Sequence, residues 1–228
     1  MSIIFSISNK LAKSAELELS RLTDARGQSP GVQSVITHSR QIAWQFQSFK
    51  SGNSTVIIAI ESYSRYVLLL PFYYYPTWDE VKAAFYEQWF VHMQDWMNMG
   101  GFVRTSQQQA QLENQFQAQS EPQLYRNLDL SINGHIIDTQ FWIHDYMDQM
   151  AVQSFDQQMG KELSVHINNQ PKRVKDMNGK RSEFSPLERF LDDSLYRYAQ
   201  GLCDQFIPGC AEGNFPNPHK RVTKLTVV

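Results

Sequence analysis

The chain has 228 residues, 42% of them hydrophobic and 13% aromatic, enough apolar material to bury a sizeable core and too much for a disordered chain. Charged residues make up only 19%, and the 23 glutamines outnumber the 21 lysines and arginines, so polarity is carried largely by amides. A net charge of −2 excludes the whole-protein basic footprint that drives non-specific DNA binding.

No run approaches the ~18 apolar residues of a membrane span. The first residues place Ile3, Ile4, Phe5 and Ile7 ahead of Lys10 and Lys13, the reverse of a signal peptide's charge-then-apolar order. A cytoplasmic protein without a membrane partner is expected. Cys203 and Cys210 bracket only a short loop and are expected to be free thiols.

In chain order, residues 2–7 read as a strand, and Ser8 or Asn9 caps a helix over Lys10–Leu22. Residues 25–39 read as a loop rich in Gly, Pro, Ser and Gln. Three apolar runs follow, Gln41–Phe49, Ser54–Glu61 and Arg65–Tyr73, and their short connections predict an antiparallel meander. Val56–Ile60 is apolar without a break, which predicts a central strand covered on both faces. Thr77 and Glu80 make a capping box that opens a helix to about Asn98, with Trp78, Val81, Phe85, Trp89, His92 and Trp96 in one stripe. Seven glutamines between Thr105 and Gln119 leave only Leu112 and Phe116 to bury, so this segment is an exposed helix or a mobile loop. Helical periodicity resumes over Ser131–Val152, Phe155–Asn168 and a last helix capped by Ser185 with Pro186 in its first turn.

The fold class expected is therefore α+β: a small, mainly antiparallel sheet, made of an N-terminal strand plus a three-stranded meander, packed by about five helices. Residues 1–202 read as one domain, sheet-rich over 1–75 and helical over 76–202, with 203–228 as a C-terminal tail.

Lys10-Leu11 after the first strand, Trp44 on the first hairpin strand, and Ser64-Arg65-Tyr66 leading into Val67-Leu68-Leu69-Leu70 form a recognisable order. With Gly134 at a helix start and Asn168 to Pro171 at a helix end, residues 1–190 resemble an uncharacterised bacterial family of unknown function. The chain departs from that pattern in its first hairpin turn, which keeps only Lys50 beside Ser51-Gly52-Asn53, in its glutamine-rich segment and in its last helix. The resemblance implies an α+β fold and an intracellular location, and it implies no mechanism.

Phosphate-cradling and dinucleotide-binding glycine motifs, His-Glu-x-x-His and Gly-x-Ser-x-Gly are all absent, which disfavours P-loop hydrolysis, zincin proteolysis and nucleophile-elbow esterolysis. The best catalytic candidates are His135, Asp138, His144 and Asp145 on one predicted helix, where an acid/base or metal-assisted hydrolase would have to sit. Asp138 and Asp145 are ~10 Å apart along the axis, however, too far to share a proton or one metal ion. The bland alternative is an amphipathic helix with solvated acids. Cys203, Cys210 and His219 supply three ligands where a structural zinc wants four, so no metal and no cofactor are expected.

Residues 172–181 hold five cations, Lys172, Arg173, Lys175, Lys180 and Arg181, against one anion, Asp176. This segment reads as a charged loop able to contact phosphates or an acidic partner, with Arg65, Tyr66 and Trp44 as stacking planes if they share its face. The function expected is a non-enzymatic intracellular binding protein engaging a protein or nucleoprotein through a polar surface and this basic loop, with nucleic acid a further candidate partner. The hydrolase is the first alternative. The second is a structural homodimer formed through the tryptophan-rich helix.

Overall fold

The structure, a computed structural model, describes residues 1–24, 26–175, 181–202 and 215–221. Strands β1 (Ser2–Ile7), β2 (Gln41–Ser51), β3 (Ser54–Glu61), β4 (Val67–Phe72) and β5 (Gln123–Arg126) form one sheet in the order β4-β3-β2-β1-β5. β2–β3 and β3–β4 pair antiparallel, as the short connections require. β1 instead pairs parallel with both β2 and β5, in registers Phe5↔Trp44 and Phe5↔Leu124.

This corrects the expectation of a small, mainly antiparallel four-stranded sheet: the sheet is mixed and has five strands. Residues 8–40 give the chain length enough to return before entering β2, so the β1–β2 pair need not be a hairpin. β5 escapes a pattern search because it is four residues long, none of them fully buried, and an edge strand needs little apolar sequence. A second correction concerns the charged loop, whose ends pair as a small hairpin, β6 (Lys172–Lys175) with β7 (Arg181–Phe184). Backbone bonds and a cross-strand pair such as Arg173–Glu183 can hold such a hairpin without apolar alternation.

Among the described residues, six α-helices cover the sheet. On one face, α1 (Asn9–Ser14), α2 (Trp78–Met99), α3 (Ser106–Gln117) and α6 (Pro186–Tyr198) pack with Ile3, Phe5, Ile42, Trp44, Phe46 and Leu68. On the other, α4 (Leu130–Met150) and α5 (Gln157–Asn169) pack on Val56, Ile58, Ile60, Val67 and Leu69. All eight residues of β3 are buried, as an unbroken apolar strand demands. No described helix is long and apolar enough to cross a membrane.

The Thr77–Glu80 capping box forms, and α2 buries Trp78, Val81, Phe85, Trp89, His92, Met93 and Met97. Its rings meet Phe5, Trp44 and Phe46 at centroid distances of 4.9 to 6.2 Å. The tryptophan stripe offered above as a dimer face thus lies inside the chain's own core. α1 is shorter than the Lys10–Leu22 helix expected. Its end is set by Glu16 in the left-handed region (φ +53°), where the Leu17 amide bonds back to Ala12 O at 2.9 Å. The glutamine-rich segment is a helix, α3, with its own capping box, Thr105 and Gln108.

The β2–β3 turn permits a direct test of packing. Gly52 has φ +53°, and a Cβ placed there would lie 2.2 Å from the Gln153 carbonyl oxygen in the segment after α4. Strain in the left-handed region and this backbone clash act together, so Gly52→Ala is expected to destabilise the protein by about 2–3 kcal/mol. Urea unfolding of the variant checks it; an unchanged midpoint would mean that the hairpin does not dock there.

Candidate functional site

Glu61, at the end of β3, organises one edge of the molecule. It is buried, and its carboxylate accepts hydrogen bonds from Thr37 Oγ1, Tyr63 N (3.0 Å), Ser64 N (2.6 Å) and Ser64 Oγ (2.6 Å). These bonds shape the β3–β4 turn and leave Arg65 at φ +61°, an uncommon place for a long side chain. Arg65 Nη2 donates to Ser131 Oγ at 3.2 Å, in the first turn of α4.

His135 lies one helical turn beyond Ser131. Burial, followed by the charges of Arg65 and Lys172, pushes its imidazole down to about 4, while Asp138 opposes the shift. Its Nδ1 is buried without a hydrogen-bond partner. Lys172, entering from β6, is itself lowered by burial, and Asp138 alone opposes this. Arg65, too, is lowered by burial, with Glu61 and Asp129 opposing and Arg189 adding to it. Three separate elements therefore bring two cations, Arg65 and Lys172, to bear on one neutral histidine.

The remaining predicted residues divide. Arg173 pairs with Glu183 at 3.1 Å with both side chains exposed, an arrangement contributing little to stability. Lys180 and the side chains of Lys175 and Arg181 lie outside the described residues. Trp44 and Tyr66 do not serve as stacking planes: they are 1% and 0% exposed. Trp44 occupies the core face of β2 against Phe85 and Trp89, and Tyr66 stacks on Phe190 at 3.9 Å.

The four candidate catalytic residues fall into two separate pairs along α4, His135 with Asp138 and His144 with Asp145. His144 and Asp145 lie at least a turn and a half farther along α4, both exposed, with His144 against the Phe49 ring and Asp145 accepting from Gln149 Nε2. Among the described residues, no group of three or more His, Cys, Asp or Glu could hold a metal ion; Cys203 and Cys210 fall outside them.

Sequence reasoning missed the residues that support this edge. Arg189 of α6 lies over the Phe184 ring at 3.6 Å and the Tyr63 ring at 5.2 Å, and it donates to Tyr63 O. The available signal was an acid followed by hydroxyls in a short turn, Glu61-Ser62-Tyr63-Ser64, the composition of a turn held by side-chain-to-backbone bonds. No family model, curated protein or solved structure matches this chain, so the resemblance drawn above rests on its own motifs.

Proposed function

We propose that the protein is a non-enzymatic binding protein that docks an acidic surface of a partner protein at the edge built from the β3–β4 turn, the start of α4 and the β6–β7 hairpin. The observation that carries this reading is Arg65, bonded to Ser131 one turn before His135, together with Lys172 of β6, whose charge acts with that of Arg65 on the His135 ring, and the exposed Arg173 on the same hairpin. Among the described residues the Lys172 side chain makes no hydrogen bond or ion pair, and the one charge that opposes its lowering is Asp138. Partly desolvated cations lose less hydration when an anion arrives, which favours a carboxylate-rich partner and fast, salt-dependent association.

The test replaces Lys172, Arg173, Lys175, Lys180 and Arg181 together with Ser and measures anisotropy of a labelled Asp/Glu-rich peptide and of a single-stranded RNA. The expected result is peptide binding that weakens about tenfold or more, ~1.4 kcal/mol, with little change in thermal stability. Equal peptide affinity in the variant would remove the reading, and binding of the RNA alone would replace its partner class.

A further inference from the structure

β1 and β5 are parallel neighbours whose following helices go to opposite faces: α1 places Leu11 and Ala12 in one core, and α4 places Ile132 and Ile136 in the other. In an open sheet this divergence leaves a crevice at the carboxyl ends of the two strands, the place where such sheets bind ligands. A cavity of about 210 Å³ lies there, its lining including Ser8, Asn9, Lys10, Gln47, Asn127 and Asn133. It shares no residue with the basic edge described above.

The lining narrows the ligand. Among the described lining residues Lys10 is the one that is charged and none carries a carboxylate, so the cavity balances one negative charge. The Asn127 amide is already engaged: it accepts from Gln33 N and donates to Gln33 O and Ser6 Oγ. It is therefore structural. Ser8 Oγ accepts from Leu11 N at 3.3 Å and keeps its own proton to donate. Gln47 Oε1 is buried with no hydrogen-bond partner, an expensive state that a ligand donor would relieve. An ammonium donor would bring a second cation close to Lys10, so hydroxyl donors fit better.

From this we infer that the crevice between β1 and β5 is a binding site for a small hydroxylated monocarboxylate, its carboxylate on Lys10 and a hydroxyl donating to Gln47 Oε1. The volume limits it to about one monosaccharide acid, below the size of usual drug-like ligands.

Amide-detected NMR titration of the full chain tests the assignment with gluconate, with glucose (hydroxyls but no charge) and with butyrate (charge but no hydroxyls). Gluconate is expected to shift the side-chain amides of Asn9, Gln47 and Asn133 saturably, with Kd on the order of 1 mM or tighter. Glucose and butyrate should bind about tenfold more weakly. Lys10→Ala should abolish the gluconate shifts and Gln47→Leu should weaken them, both at unchanged melting temperature and unchanged binding of the acidic peptide. Absence of saturable shifts at those amides, equal binding of butyrate, or full gluconate binding by Lys10→Ala would each overturn the proposal.

Discussion

Replacing Asp193 by Ala is expected to destabilise the protein by about 3–5 kcal/mol, the range for removing one partner of a buried ion pair. Asp193, in α6, accepts from Arg197 Nε at 2.7 Å through one oxygen and from His219 Nε2 at 2.6 Å through the other. The Arg197 side chain is only 2% exposed. Without the carboxylate its charge keeps a bond to His38 O at 2.8 Å, which neutralises nothing. The same substitution removes the His219 Nε2 bond that ties the 3-10 turn Pro218–Arg221 to α6. Because desolvating the pair is costly in the first place, Asp193→Leu combined with Arg197→Met should recover most of the loss. Denaturant midpoints of the three proteins decide this. A single variant within about 1 kcal/mol of the parent would show that water reaches the pair and screens it.

Acid should weaken the fold well before the carboxylates titrate. His92, inside the α2 stripe, is pushed down to about 4, first by burial and then by the charge of Lys161, with Asp95 opposing. Tyr66 Oη accepts the Trp96 indole N–H at 2.8 Å and shares a hydrogen bond with His92 Nδ1 at 2.9 Å, while the ring's Nε2 is buried without a partner, so no group stands ready to accept a second ring proton there. Above the ordinary histidine value of 6.5 neither the folded nor the unfolded ring is charged, and stability is complete. As pH falls from 6.5 towards 4 the unfolded chain takes up a proton that the folded chain refuses, so stability is lost through that window. The loss attributable to His92 is on the order of 3 kcal/mol. His135 shifts in the same direction, although its partial exposure makes its share smaller. Urea unfolding from about pH 7.5 down to about pH 4.5 should show this slope, and His92→Gln should flatten it. A slope of equal size in His92→Gln would place the acid sensitivity elsewhere.

Several elements were legible in the residues because their signals are local. The Thr77–Glu80 capping box, the stripe of α2 and the unbroken run of β3 each depend on neighbours within a few positions. The α3 helix was half legible: its glutamines gave a helix or a loop, and the reciprocal Thr105–Gln108 cap decides for the helix. Trp44 and Tyr66 were misplaced because an aromatic ring reads alike in a core and on a recognition surface until the face of its strand is known.

Composition and periodicity by themselves determined the α+β class, the buried strand β3, most of the helices and the presence of a cationic segment at 172–181, since each follows from residues adjacent in the chain. The tertiary structure alone decided that β1 lies between two parallel partners and that the charges of Arg65 and Lys172 act on His135. It also decided that Lys10 and Gln47 line one crevice. Those pairings join segments tens of residues apart, and their free energy resides in packing and desolvation that no local pattern encodes.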